Sequence, residues 1–257
     1  MFGWPNRFLS SVLTASNQEA ALPVTNLAND QGSADQAWQC PATSGWVRLD
    51  AGAVVPFRLV SLHNSNLTAA ATVRVRAWIG ADTSAAPAWD SGVLPGAVVA
   101  GYRQALVMLP AGASGRTLQI DIADPGNPDG FLNVAQAFAG PAWQPVRNFN
   151  FQSAPGRTAQ LAKTATRSGG VVIRPDWVKR VFALSLSGIK AAEVLPRVMD
   201  LDLYARRGNN VLFVPNPDSP TRNQEVLFGE FEPSSNVTYP YQTADARGYA
   251  ATLTERL

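Results

Sequence analysis

In the stretch "ATVRVRAWIG", residues 71–80, apolar and polar side chains change places at every step. Val73, Val75, Ala77 and Ile79 fall on one side of an extended chain, and Arg74, Arg76 and Trp78 on the other. A β-strand sorts such a sequence into one dry face and one wet face, because its side chains point alternately to its two sides. A helix would scatter the valines around its surface. The same alternation recurs in "GWVRLDAG", with Val47 and Leu49 opposed to Trp46, Arg48 and Asp50, and in "RTLQIDIAD", with Leu118, Ile120 and Ile122 inward. "PFRLVSLHN" is apolar on both faces, as a central strand would be, and "QALVMLP" and "GFLNVAQAFAG" complete the set. Clusters of Gly, Pro, Asn and Asp punctuate these runs. Residues 1–145 therefore read as an antiparallel β-sandwich of jelly-roll type. The turn-rich "DPGNPDG" before the last strand, and "GPAWQP" after it, close that domain.

Beyond it the pattern changes. Residues 146–176, including "SAPGRTAQLAKTATRSGG", are small, polar and basic without a period, and read as a linker or an extended arm. Residues 177–257 mix elements. "DWVKRVFALSLSG" alternates, with Val178, Arg180, Phe182, Leu184 and Leu186 on one face. "IKAAEVLPRVMDLDLYARRG" then takes helical spacing over about 191–207, with Val194, Val198, Leu201 and Ala205 on one stripe. Pro196 suits a first turn, and Gly208 suits the position after the last. "NVLFVPNP", "QEVLFGEFE" and "GYAATLTERL" read as further strands. The fold class is mainly β: a larger N-terminal sandwich and a smaller C-terminal β-domain with one helix.

Composition narrows the chemistry. Cys40 is the single cysteine and His63 the single histidine. An intrachain disulfide and a thiolate zinc site are thereby excluded. A Ser-His-Asp triad would have to use His63, at a strand end. Phosphate-cradling glycine motifs are lacking. Glu225, Glu230 and Glu232 cluster in sequence, but Glu230 and Glu232 face solvent near a strand end rather than each other across a cleft. The chain reads as a non-enzyme, with no cofactor. Asp121, Asp124, Asn127 and Asp129 offer oxygen ligands for a structural calcium ion, and equally the usual turn chemistry around Pro and Gly. No stretch approaches 18 apolar residues and no secretory signal pattern leads the chain, so a reducing cytoplasm is the expected site of synthesis.

Two surfaces stand out. Trp38, Trp46, Trp78 and Trp89 all lie in the first domain, where an exposed ring would stack on a sugar or a protein partner. Trp38 and Trp46 suit a core equally well. Trp78, beside Arg74 and Arg76, is the expected ligand-contact residue. The second surface is basic. Formal net charge is only +2, too little for a nucleic-acid binder, and no sequence-specific nucleic-acid binding is expected. The excess gathers between Arg147 and Arg180, where Asp176 is the lone acid, and Arg157, Lys163, Arg167 and Arg174 are candidate subunit-interface residues.

"PVTNLANDQGSADQAWQ" followed by "GWVRLDAGAVVPFRLVSLHNSNLTAAATVRVRAW" resembles a galactose-binding-like, discoidin-type jelly roll. With "DPGNPDGFLNVAQAFAGPAWQP", it is similar to proteins of tailed-phage tail modules. The C-terminal strand, helix and final "GYAATLTERL" resemble the tail-tube-like sandwich-plus-helix domain of distal tail proteins. That resemblance implies a virion structural protein of a phage tail tip or baseplate, made in the bacterial host cytoplasm. It would form a hexameric ring between tail tube and host-recognition apparatus, with tail tube and baseplate proteins as partners. The jelly roll would dock neighbours or touch a host cell-surface glycan. The alternative is a carbohydrate-binding adhesion module with no ring role.

Overall fold

Period-two alternation with turn punctuation becomes antiparallel sheet throughout. A computed structural model describes residues 1–150, 153–238 and 246–256. The strands are β1 Phe2–Gly3, β2 Val12–Ala15, β3 Trp38–Cys40, β4 Ser44–Pro56, β5 Leu59–Ser65, β6 Thr72–Trp78, β7 Trp89–Asp90, β8 Leu94–Pro95, β9 Val98–Val99, β10 Gln104–Met108, β11 Ser114–Ala123, β12 Leu132–Gly140, β13 Ala142–Trp143, β14 Ala154–Ala165, β15 Val171–Ile189, β16 Val211–Phe213, β17 Leu227–Pro233 and β18 Arg247–Glu255. They form two compact units: Met1–Trp143 with Asn210–Val226, and Gln144–Asn209 with Leu227–Arg256.

Unit 1 is a two-layer sandwich. One layer runs β3-β12-β5-β10-β9; the other runs β2-β4-β11-β6-β7, with β8 also on β6. Between them lie Val47, Leu49, Val73, Val75, Leu118, Ile120 and Ile122 from one layer, and Trp38, Val60, Leu62, Val107 and Leu132 from the other. Each such side chain contributes about 1.5–3 kcal/mol by leaving water. Those of the six-stranded layer are the inward positions that alternation assigns, except Ile79, which follows the end of β6 and is exposed. The five-stranded layer is buried on its other side too. His63 there is 5% exposed, and its Nε2 lies 2.8 Å from Ser61 Oγ. The strand "NVLFVPNP", expected in the C-terminal domain, supplies β16 to unit 1, where Phe213 pairs with Phe2.

Unit 2 contains strands hydrogen-bonded in the order β17-β18-β15-β14. Phe182, Leu184, Leu186, Phe231, Tyr249, Ala251 and Leu253 are buried, and alternate along the strands with Ala183, Ser187, Glu230 and Glu232, which are exposed. The expected helix spans residues 191–206, and Val194, Val198, Leu201 and Ala205 are its buried stripe. Val194–Met199 is wound as a π-helix, which accommodates Pro196 and its missing N–H. Gly208 follows the helix with φ +85°, a conformation a side chain would strain. The expected C-terminal sandwich is instead one sheet faced by a helix, because its outer face is too polar to bury a second sheet.

The segment expected as linker or extended arm is regular structure. β14 pairs with β15 from Ala154↔Ala183 to Ala165↔Val171, closed by a turn in which Thr166 N bonds to Gly170 O. No apolar period marks it because neither face is buried: every residue of β14 is exposed, as are residues 171–178 of β15. Residues 151–152, 239–245 and 257, which fall within the expected arm and C-terminal domain, lie outside the described residues. Among the described residues no helix is long and apolar enough to cross a membrane.

Candidate functional site

The outer face of the six-stranded layer carries a ladder of planar polar side chains. Arg48 on β4 donates to Gln119 Oε1 on β11 from Nε at 3.0 Å and from Nη2 at 2.7 Å. Gln119 Nε2 donates to Asp121 Oδ1 at 2.6 Å. Asp121 then accepts from Arg76 on β6, Nε to Oδ2 at 3.0 Å and Nη2 to Oδ1 at 2.8 Å. On the same strand Arg74 clasps Asp90 of β7 with Nε and Nη2. Register makes this possible. Asp121 stands opposite Trp46 on one side and Arg74 on the other, and Gln119 stands opposite both Arg48 and Arg76. The period-two rule puts all of them on one face.

The Arg74 guanidinium holds the Asp90 carboxyl down to about 2, against an ordinary value near 3.9. Arg116 likewise lowers the Asp50 carboxyl at the other end of the face, by bonds of 2.8 and 3.0 Å. The face is thus a set of charge-matched pairs rather than a field of one sign.

Beside the ladder lies a cleft of about 470 Å³, whose lining includes Ser16, Gly45, Trp46, Arg74, Arg76 and Asp121. That volume falls within the range of about 300–1,000 Å³ usual for small-molecule sites. Trp46 is half-buried, its backbone N–H accepted by Ser16 Oγ at 2.9 Å. The Arg48 guanidinium sits 4.5 Å from the centre of its ring. Gly45 is needed where it stands: a Cβ there would meet Cys40 Sγ at 2.9 Å and Ser16 Oγ at 3.0 Å.

Of the expected ligand-contact residues, Arg74 and Arg76 line this cleft and Trp78 does not. Trp78 is 3% exposed. The chain after β6 folds back over it, so that Trp78 Nε1 donates to Ala85 O at 2.8 Å, and Arg76 lies over its ring at 5.3 Å. Trp38 is wholly buried, its indole N–H on Asn17 O at 3.2 Å. Trp46 lines the cleft in Trp78's stead. Gln119 and Asp90 were not among the expected residues; Gln119 was within reach, since it alternates with Leu118 and Ile120 on a strand already identified.

The expected calcium ligands are occupied otherwise. Asp121 bonds to Arg76 and Gln119. Asp124 is buried and accepts from Thr68 N at 2.8 Å, Thr68 Oγ1 at 2.6 Å and Asn127 Nδ2 at 3.1 Å. Asp129 Oδ2 accepts from Asn66 Nδ2 at 2.9 Å, and its N–H is bonded to Asn127 Oδ1 at 3.0 Å. These bonds tie the "DPGNPDG" turn to residues 66–68, so the turn chemistry prevails. Among the described residues no three His, Cys, Asp or Glu side chains are grouped to hold a metal. Cys40 is buried, and burial raises its thiol pKa. The candidate interface residues Arg157, Lys163, Arg167 and Arg174 all lie on the β14–β15 ribbon or its turn and are exposed.

No protein-family model matches the chain, and no curated protein does. Solved structures do. The lectin domain of Lectinolysin, complexed with Lewis B antigen, is 12% identical with a TM-score of 0.43 over 55% of this chain and 99% of its own. A Streptococcus pneumoniae fucose-binding module is 9% identical with a TM-score of 0.42, over 55% of this chain and 100% of its own. A chitosan-binding module of a Paenibacillus chitosanase/glucanase is 14% identical with a TM-score of 0.41, over 54% of this chain and 100% of its own.

Proposed function

We propose that unit 1 is a carbohydrate-binding module that takes a neutral sugar in the cleft beside Trp46. The observation that carries this reading is the ladder Arg48–Gln119–Asp121–Arg76 running up to a half-buried tryptophan. Vicinal sugar hydroxyls are paired donors and acceptors at fixed spacing. Carboxylate, amide and guanidinium groups meet them two at a time, and mutual bonding holds these groups still beforehand. The C–H face of a pyranose ring is apolar and stacks on an indole. Because each arginine of the cleft already has a carboxylate partner, the site favours neutral sugars over anionic ones.

The test is titration of the full chain against a panel of immobilised neutral oligosaccharides, repeated with Trp46→Ala and Asp121→Ala. The reading expects at least a tenfold loss of affinity in each variant. Binding unchanged in both would reject the cleft, and no binding to any neutral glycan would reject the function. A second reading, a ring-forming phage tail subunit, draws on the exposed basic ribbon of unit 2. None of the solved structures named above is a tail protein. Locating the chain in purified virions is its direct test.

A further inference from the structure

Strand register lays out the outer face of the six-stranded layer in rows that cross the strands. One row runs through the cleft. Asp121 on β11 stands directly opposite Trp46 on β4 and directly opposite Arg74 on β6. Beyond β6, Val73 pairs with Leu94 of β8, so Val93, one residue earlier, comes next to Arg74. Leu94 packs against the core, and the alternation of an extended chain turns Val93 to the outer face, where it is 60% exposed. Trp46, Asp121, Arg74 and Val93 all line the cleft. Neighbouring strands lie about 4.8 Å apart, and at that step the row reads, outward from the tryptophan, as aromatic ring, acceptor, donor and apolar wall.

The two polar members have capacity left. Arg74 gives Nε and Nη2 to Asp90, and among the described residues its Nη1 has no partner. Asp121 accepts two bonds at Oδ1, from Arg76 Nη2 and Gln119 Nε2, and one at Oδ2, from Arg76 Nε. Oδ2 therefore keeps a lone pair. The Arg74 and Asp121 side chains are 38% and 28% exposed, so a ligand reaches them. A lone exposed valine means little by itself, but Val93 closes the row at the end opposite the tryptophan.

We infer that the cleft recognises the acetamido group of an N-acetylated hexosamine, which rests on the neutral-sugar reading of this site. An acetamido substituent presents, outward from the sugar ring, an N–H donor, a C=O acceptor and a methyl group. The row presents their complements in the same order. With the pyranose ring stacked on Trp46, the N–H donates to Asp121 Oδ2, the carbonyl accepts from Arg74 Nη1 and the methyl covers Val93. The group is neutral, so the Arg76–Asp121 and Arg74–Asp90 pairs stay closed. A hydroxyl at the same carbon is shorter: it meets Asp121 but leaves Arg74 Nη1 to water and Val93 uncovered. A free amine is an ammonium ion, which meets two guanidinium groups beside the one carboxylate and lacks the methyl.

The test is an NMR titration of the full chain, read at its tryptophan indole N–H signals, against sugars matched in all but the C2 substituent. The pairs are the methyl glycosides of N-acetylglucosamine and glucose, and of N-acetylgalactosamine and galactose. The acetamido sugar of at least one pair is expected to bind at least tenfold more tightly than its hydroxyl counterpart. Val93→Asp is expected to bring that ratio to about one, and Val93→Leu, which keeps an apolar wall, to preserve it. The position is exposed, so neither change disturbs the core. Equal affinity within both pairs overturns the inference and leaves the neutral-sugar reading standing, as does a preference that survives Val93→Asp. Failure of all four sugars to bind, while another neutral glycan binds at Trp46, has the same meaning. If no neutral glycan binds, the reading itself falls and the inference with it.

Discussion

Arg76 on β6 and Asp121 on β11 are joined by two bonds, at 3.0 and 2.8 Å, although they are diagonal rather than direct neighbours in the sheet. The diagonal leaves Asp121 directly opposite Arg74 and Trp46, at the lip of the cleft. Their side chains are 25% and 28% exposed, so the pair contributes at most about 1 kcal/mol to folding. Asp121→Ala should therefore lower stability little and sugar affinity much. Chemical denaturation and glycan titration of the same preparation check this; a large loss of stability would mark the pair as structural.

Asp90 titrates well below an ordinary carboxylate because Arg74 is bonded to it. A carboxyl whose folded pKa is depressed adds stability above its unfolded value, near 3.9, and loses that contribution as pH falls through about 2. The Arg74–Asp90 clasp should stay closed at pH 4. In an NMR titration the Asp90 carboxyl should show a midpoint near 2, and Arg74→Ala should move it up toward 3.9.

Trp78 is a structural residue. Trp78→Phe removes its bond to Ala85 O and should cost about 0.5–1.5 kcal/mol, leaving sugar affinity intact. Trp46→Phe should do the reverse, sparing stability while weakening the stack. Paired melting and binding curves on the two variants separate the roles, and loss of binding in Trp78→Phe alone would restore Trp78 to the site.

Ile120 is fully buried at the centre of the sandwich. Ile120→Ala should cost about 2–5 kcal/mol, which denaturant unfolding measures directly. Cys40 is buried and its thiol is pushed up by burial, so it should resist a thiol reagent in the folded chain and react once denaturant opens unit 1. Rapid labelling under native conditions would contradict that placement.

Alternation made unit 1 legible because burial on one face writes itself into every second residue, as in Val73 and Val75 or Leu118 and Ile120. The helix stripe Val194, Val198, Leu201 and Ala205 was legible for the same reason at a different period. What escaped notice depends on covers that come from elsewhere in the chain. Trp78 occupies a polar-face position and is dry only because residues 79–88 fold over it. Residues 154–165 and 171–178 of the ribbon are exposed on both faces, so burial writes no sustained alternation into them. Val211–Phe213 has an apolar strand's sequence wherever it goes, and nothing in it says that β1 is its neighbour. The site was half visible: the arginines stood out beside a tryptophan, but choosing between Trp46 and Trp78 required the loop.

The central claim is that the Trp46 cleft binds a neutral sugar, and calorimetric titration of the full chain beside its Trp46→Ala variant tests it most directly. Saturable binding of a neutral oligosaccharide that weakens at least tenfold in the variant is the expected result. Equal affinity in both proteins, or no heat from any neutral glycan, would contradict it.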